Sequence, residues 1–537
     1  MREPRPWPLL GIIAGGLALY AVLAAAQLPH HYQGDEFQVV ERALRVGAGG
    51  VNPGLFTWPG SLSIYLTFVL YAGFFAAARV AGVVTDAASF AGLYWRDPSG
   101  FYFLARALSA LFGVAMLVAA YRWARAVWGR AAGYVAAGFA ALAPGTVAAA
   151  ASALPDMAAA AMGAASLAAA ALFTQNPKRR YAILAGVFLG LGAAAKYHVL
   201  MYIPAAAACL LMAPLPAPAR AKYVVAAAVA AAAAFVAACP FALLDAGSFV
   251  RDLSLMWHRP GMARWAPAPG SLFGSVLPGA LSWPLLVLAA AALVFAAARK
   301  SRWAAIAALA VTPFIIAAFA RPLPPRHLLP VVAPLAVVAG GALAWAWERR
   351  RGPLRIAAVC VVAVALAAAL VVDVSHVAWA WRTDSRTEAA AYVEARIPAG
   401  TVVILEKIFP DTENPPLYPD KPSLERLAKH YRKTGGGSPG KYAYLARDPS
   451  YPFGHATYKV YLAEELGDFG GAPRPCYAIR THPDDRSYYA EQGKPVGARL
   501  EPWEPRYDAF LAAAGRLEKS FPGARRPGPT VEIYRVP

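Results

Sequence analysis

Apolar runs long enough to cross a bilayer recur along the first two thirds of the chain. They lie near residues 8–27, 101–120, 131–149, 157–174, 181–195, 197–213, 223–240, 278–298, 303–320, 328–347 and 356–375, with short polar connectors between them. A spanning helix needs about 20 apolar residues. The pattern predicts a mainly α polytopic membrane domain over 1–375, with about eleven transmembrane helices and outer loops at 28–100 and 241–277. Two stretches complicate the count. Residues 181–213 must cross twice, which places Lys196-Tyr197-His198 at the turn between two short helices. Residues 58–83 are long enough to span, yet one crossing there would invert every later connector. That run is expected to lie along the outer interface, or to dip in and return, with Trp58 and Tyr65 at interfacial positions. Residues 36–46 place Phe37, Val40 and Leu44 at helical spacing opposite Gln38, Glu41, Arg42 and Arg45. This is the pattern of a helix lying on a membrane surface, and 241–277 reads as a second outer loop of that kind.

After Val374 the pattern turns polar and rich in Pro, Tyr and Arg, which predicts a separate soluble α/β domain over 376–537. Ser385 with Glu388 makes a capping box before a helix over 386–396, and Thr401 to Ile408 reads as a buried strand. Leu424 to Tyr431 is helical in pattern, Gly435 to Gly437 is a loop, and Val531 to Val536 is a terminal strand. This part carries no phosphate loop, nucleophile elbow or metal motif.

Composition agrees with a membrane protein. Of 537 residues, 58% are hydrophobic and 15% charged, and the mean hydropathy is +0.43. The net charge of +20 would suggest nucleic acid in a soluble protein. Here the basic residues collect in connectors, where they encode topology and call for no nucleic-acid partner. Arg2 and Arg5, Arg122, Arg125 and Arg130, Lys178 to Arg180, Arg220 and Lys222, Arg299 to Arg302, and Arg349 to Arg355 fall on one side, opposed only by Glu3 and Glu348. The positive-inside rule therefore predicts an inner membrane protein with its N-terminus inside and the C-terminal domain outside. The small-residue step Ala24-Ala25-Ala26 resembles a signal cleavage site, but the length of the first run favours a retained anchor. Four cysteines give no disulfide framework and no zinc spacing.

The candidate chemistry centres on His30-His31-Tyr32-Gln33-Gly34-Asp35-Glu36, which follows the first span. Asp35 and Glu36 are candidates for proton transfer, and with His31 they are candidate ligands for a divalent metal. Asp35 with Gln38 also fits a helix cap, so a purely structural role stands beside the chemical one. Asp156, after Pro155 at the start of a span, has the same two readings and lies on the same predicted side. Arg106 lies six residues into an apolar run and Lys196 between two. A basic group at the bilayer centre costs about 2.5–3.5 kcal/mol unless it snorkels or finds a partner. Arg321, Arg326 and His327 form a rigid basic turn on the outer side, where topology asks for no positive charge and an anionic ligand accounts for it.

Several motifs in order carry a family resemblance. Asp35-Glu36, the run Phe103 to Gly113 around Arg106, Leu154-Pro-Asp156, Gly186 to Tyr197, Pro240 to Asp245, Arg326-His-Leu-Leu-Pro330 and the ending Gly528 to Tyr534 together resemble bacterial protein-mannosyltransferases and aminoarabinose transferases. These are GT-C fold glycosyltransferases that use polyprenyl-phosphate sugars. The resemblance implies Asp35 as general base toward the acceptor, Glu36 as its partner and Arg106 as a required arginine. It also groups Arg106, Lys196, Arg321 and Arg326, with His327, as the candidates to hold the lipid phosphate. Asp156 follows Pro155 where the family usually has Thr or Val, and the long outer C-terminal domain departs from the mannosyltransferases. The acceptor, be it protein, lipid or glycan, does not transfer with the resemblance. The other class open to such a sequence is a secondary transporter of an anionic or lipid-linked solute, which would be expected to show internal repeats and mid-membrane helix breaks. No clear repeat is present. A third reading, a receptor whose work is done by the C-terminal domain, leaves the spans without a purpose.

Overall fold

The computed structural model describes residues 7–30, 34–258, 267, 269–320, 323–349, 352–406, 414–434, 439–467, 469–482, 504–523 and 527–537. The chain divides into two compact units: Met1–Ala25, Asp35–Phe74 and Tyr102–Val377 form one, and Ala26–Gly34, Phe75–Phe101 and Ala378–Pro537 form the other.

The first unit is helical throughout. It begins with α1 (Trp7–Ala25), the amphipathic α2 (Glu36–Gly47) and α3 (Ser61–Val80). After α4 (Ala87–Arg96), which belongs to the second unit, come α5 (Ser99–Trp128), α6 (Arg130–Ala141), α7 (Pro144–Ala150), α8 (Pro155–Gln175) and α9 (Arg179–Ala195). A 3₁₀ turn over Tyr197–Tyr202 leads into α10 (Ile203–Leu211), followed by α11 (Ala217–Ala238). The remaining long helices are Trp283–Ala298, Arg302–Ala320, Val332–Arg349 and Pro353–Ala380. Among the described residues eight helices are long and apolar enough to cross a membrane, or up to ten if each of two bent pairs counts as one span. Every one of the eleven predicted runs is helical.

Helix α8 is the hub. Its alanines and glycines are buried on almost all sides, and side chains this small let α9 and α10 approach closely. Gly186 and Gly190 of α9 face α11 in the same way: a Cβ on Gly186 would collide with the carbonyl oxygen of Ala227, and one on Gly190 with that of Ala231. Thr174 near the end of α8 donates to Cys209 O of α10 at 2.6 Å, so α9 and α10 leave and return as the double crossing requires. On α11, Val225 and Val229 are exposed, an uncovered apolar face that suits lipid contact.

Residues 58–83 resolve as a helix without a dip. Ser61–Val80 is one uninterrupted helix and is itself long and apolar enough to cross. Arg106 Nη1 of α5 donates to Ala24 O at the end of α1 at 2.8 Å, so the chain re-enters α5 at the level where it left α1. The start of α3 is at that end too, since Gly60 N–H donates to Ala195 O at the end of α9.

The second unit contains a six-stranded sheet in the order β2-β3-β1-β4-β6-β5, where β1 is Val402–Leu405, β2 Tyr418–Pro419, β3 Thr457–Leu462, β4 Cys476–His482, β5 Arg516–Phe521 and β6 Thr530–Val536. The strands β2, β3, β1 and β4 run parallel, and β6 pairs antiparallel with both β4 and β5. Helix Lys421–Thr434 contributes Leu424, Leu427, Ala428 and Tyr431 to a buried cluster that also holds Val403, Val460 and Ile533. The expected helix after residue 385 is present as Ser385–Arg396, with a different cap. Asp384 accepts from Arg386 N, while Ser385 Oγ donates to Pro529 O at 2.5 Å. The loop at Gly435 to Gly437 lies outside the described residues.

The α9–α11 contact generates a prediction. Gly186→Val, in which the new side chain meets backbone and cannot be relieved by a rotamer change, should cost at least the roughly 1–3 kcal/mol of ordinary overpacking. Gly11→Val on α1, where nothing lies within 4 Å, should be neutral. Thermal unfolding of the two variants in detergent measures the difference, and equal melting temperatures would contradict the packing described.

Candidate active site

Breaks in the helices build the site. Helices α6 and α7 are bent by 63° before Pro144, and Pro269–Leu281 meets Trp283–Ala298 at 97°, with Ser282 at φ 62°. Lys196 is extended between α9 and its 3₁₀ turn, and Pro325–Val331 is a 3₁₀ turn with prolines at both ends. Proline in the first helical positions, where no intrahelical N–H is needed, starts the segments at Pro144, Trp283 and Pro325. Gly145 lies against Ala280, and Gly279 against Pro325, so α7, the end of the 277–281 helix and the 325–331 turn come together.

Asp35 stands at the N-cap position of α2, but its side chain makes no cap hydrogen bond. It accepts instead from Arg326 Nη2 at 2.7 Å, with half of the carboxylate still exposed (51%). The cap reading therefore does not account for Asp35. Its neighbour turns the other way. Glu36 is buried and receives Arg106 through two parallel bonds, Nε to Oε1 at 2.9 Å and Nη2 to Oε2 at 2.7 Å. The same Oε1 accepts from Ala153 N at 2.7 Å, in the link between α7 and α8. Arg106 also stacks near the Tyr102 ring. The cost of placing this arginine inside an apolar run is thus met by a bidentate carboxylate and a backbone carbonyl.

Asp156, in the first turn of α8, is almost fully buried and accepts from Lys196 Nζ at 2.7 Å. Arg326 and His327 lie within electrostatic reach of that carboxylate. His198 stacks on His327 with ring centres 6.5 Å apart and sets its ring edge-on to Phe314. Both His198 nitrogens are buried without a hydrogen-bond partner among the described residues.

The fold thus gathers Asp35, Arg326, His327, Asp156 and Lys196 at one end of the bundle, beside the buried pair Glu36 and Arg106. Arg321 and His31 lie outside the described residues. Among those described, no group of three or more His, Cys, Asp or Glu side chains is placed to hold a metal ion. Asp35 and Glu36 point to different arginines and do not converge. Sequence reasoning missed three contributors: the Ala153 N–H, the buried Tyr71 within electrostatic reach of Glu36, and His198. Only His198 carried a signal, as a polar residue beside Lys196 in an apolar run.

Fold and site define a polytopic membrane protein that brings carboxylates and cations together at one end of its helices. The family model for dolichyl-phosphate-mannose-protein mannosyltransferase matches residues 102–242, which include Arg106, Asp156 and Lys196. The structure is similar to that of ArnT from Cupriavidus metallidurans bound to undecaprenyl phosphate, with a TM-score of 0.56 at 13% identity over 99% of this chain and 98% of that one. The apo state of the same protein gives 0.55 at 14% identity over 98% and 97%. The apo oligosaccharyltransferase of Archaeoglobus fulgidus gives 0.50 at 12% identity over 96% of this chain and 73% of that one. No curated protein sequence matches. The chain has the GT-C fold along its length, C-terminal domain included, and resembles glycosyltransferases of the ArnT and protein-mannosyltransferase type.

The two carboxylates should respond differently to truncation. Removing one partner of a buried pair leaves an uncompensated charge and costs about 3–5 kcal/mol, so Glu36→Ala should lower the melting temperature sharply or abolish folded protein. Asp35→Ala breaks a half-exposed pair, of a kind worth roughly 0–1 kcal/mol, and should melt near wild type. Parallel melts of the purified variants check the contrast, and a reversed order would contradict the burial described.

Proposed function

We propose that the protein is a membrane glycosyltransferase that moves a sugar from a polyprenyl-phosphate donor to an acceptor, with Asp35 as general base. The observation that carries this reading is the contact between Asp35 and Arg326. A carboxylate in a helix-cap position ignores the cap and pairs with a cation that also faces Asp156, Lys196 and His327. An acceptor hydroxyl attacking the anomeric carbon passes its proton to a carboxylate within hydrogen-bond reach. As the new C–O bond forms, the bond from the anomeric carbon to the phosphate oxygen breaks, and fixed cations stabilise the charge left on the phosphate. Lys196 and Arg326 are the groups assigned to that phosphate. Glu36 and Arg106 act through position: they fix the start of α2, and so Asp35, to α5 and the α7–α8 link. ArnT bound to undecaprenyl phosphate shares the fold, which supports a polyprenyl-phosphate donor for this chain. Sugar and acceptor are left open.

Each cation assigned to the phosphate sits on a carboxylate, Arg326 on Asp35 and Lys196 on Asp156. A donor phosphate that draws Arg326 away leaves Asp35 free to take a proton. Base and donor are then coupled, so the base is bare only when the donor is present. The same reading places the site end of the bundle on the extracytoplasmic side, since the Arg-rich connectors fall at the opposite end. Cysteines placed in the 122–130 connector should be protected from an impermeant reagent added outside intact cells, and cysteines beside Asp35 should be labelled. The opposite pattern would invert the orientation.

Asp35→Asn tests the base. Asn and Asp serve about equally well as helix caps, so a structural role would survive the change, whereas proton acceptance would not. Transfer from a radiolabelled polyprenyl-phosphate sugar should be lost while the melting temperature holds, and near wild-type turnover would defeat the assignment. Lys196→Ala and Arg326→Ala should each lower kcat/KM by about ten- to a hundred-fold, the size of a lost charge-assisted contact. Arg326→Lys keeps the charge without the planar fork and should be intermediate. Normal kcat/KM in all three would leave the phosphate to other groups.

A further inference from the structure

The second unit contains a cavity of about 350 Å³ lined by Arg96, Gly440, Ala443, Tyr444, Arg447, Asp448 and Pro449, within the range of roughly 300–1,000 Å³ common for small-molecule sites. Its charges are arranged with an excess of cation. Asp448 is the acid among them, and its side chain is fully buried. Both of its oxygens are occupied: Oδ2 accepts from Arg96 Nε at 2.8 Å, and Oδ1 accepts from the backbone and hydroxyl of Ser450 at 3.0 and 2.6 Å. Burial by itself would raise this carboxyl, but the bonds from Arg96 and Ser450 outweigh burial and hold it down to about 2. The acid is therefore charged at any ordinary pH and spent on orienting Arg96. The guanidinium, about half exposed (49%), is fixed before any ligand arrives.

The wall beside it is equally constrained. Tyr444 lies so close to Gly92 of α4 that a Cβ there would collide with its hydroxyl, and that hydroxyl lies within electrostatic reach of Arg96. Arg447, at the end of helix Pro439–Arg447 and also in the lining, is exposed and makes no ion pair among the described residues. One oriented arginine, one unpaired arginine and apolar walls from Ala443, Pro449 and the tyrosine are the makings of a site that grips an anion and covers an uncharged body. None of these residues takes part in the chemistry assigned to Asp35 and Arg326.

We propose that this cavity binds an anionic saccharide, with its phosphate or carboxylate between Arg96 and Arg447 and its ring against Tyr444. This binding does not depend on the transferase reading.

The test is isothermal titration of the full-length protein in lipid nanodiscs with glucose 1-phosphate, with glucose and inorganic phosphate in parallel arms. Glucose 1-phosphate should bind measurably more tightly than either. Arg447→Ala, a surface change that leaves the Asp448 network alone, should weaken it about ten-fold, the effect of one lost charge-assisted contact. Arg326→Ala and Asp35→Asn should leave this binding unchanged, which separates the cavity from the membrane site whatever the fate of the transferase reading. The proposal is overturned if glucose 1-phosphate does not bind, if inorganic phosphate binds as well, or if the loss follows Arg326→Ala instead of Arg447→Ala.

Discussion

A single bidentate ion pair fixes the candidate site. Arg106 enters an apolar helix, where an unpaired guanidinium would be costly, and finds Glu36, Ala24 O and a neighbouring aromatic ring. Glu36 in turn takes the backbone N–H of Ala153, which a helix break leaves without an intrahelical partner. One buried contact thus joins the end of α1, the start of α2, the first turns of α5 and the link from α7 to α8. Such a pair need not add much net stability, since desolvation offsets most of the Coulomb attraction. What it imposes is register. If α2 slid or turned relative to α5, two charges would be left unpaired inside the bundle, so the orientation of α2 is set, and with it the direction in which Asp35 faces.

The breaks that surround this pair follow the same logic. A backbone group freed inside a membrane must find a partner within the protein. The segments at the interruptions meet one another: Gly145 lies against Ala280, Gly279 against Pro325, and Lys196 pairs with Asp156 beside Pro155. Small residues make the convergence possible. Gly145 and Gly279 let backbone and proline rings approach where a side chain would intrude, just as Gly186 and Gly190 let α9 lie on α11. The glycines within the motif from Gly186 to Tyr197 therefore act through packing, and the polar residue of that motif that reaches the site is Lys196.

Much of this was legible in the chain. The period and length of the apolar runs gave the helices. The pairing of charges was not legible. Adjacent residues on a helix start point in different directions, so Asp35 and Glu36, which read as one acidic pair, serve two separate partners some 70 and 290 positions away. Arg106 was grouped with the phosphate-binding cations because its sequence context shows only an unexplained charge. In the folded chain that charge is already matched. Capping chemistry was misjudged for a related reason: Asp384 and Ser385 are both good N-cap residues, and only the contact of Ser385 with Pro529 assigns the cap to Asp384.

The two remaining ion pairs differ from the first in a way that bears on chemistry. Glu36 and Arg106 are sealed and satisfied on every side. Asp35 with Arg326 is open to solvent at the carboxylate, and Asp156 with Lys196 is buried at the acid but less so at the amine. Exposure lowers the cost of parting two charges, because water replaces what the partner supplied. On the reading proposed above, the phosphodiester of a donor entering beside Arg326 and Lys196 competes with each carboxylate for its cation. It would therefore redistribute the outer pairs while leaving the inner one intact. Glu36 holds to Arg106 the start of the helix that Asp35 precedes, so on the proposed reading the pairing of Asp35 can be exchanged while that of Glu36 stays.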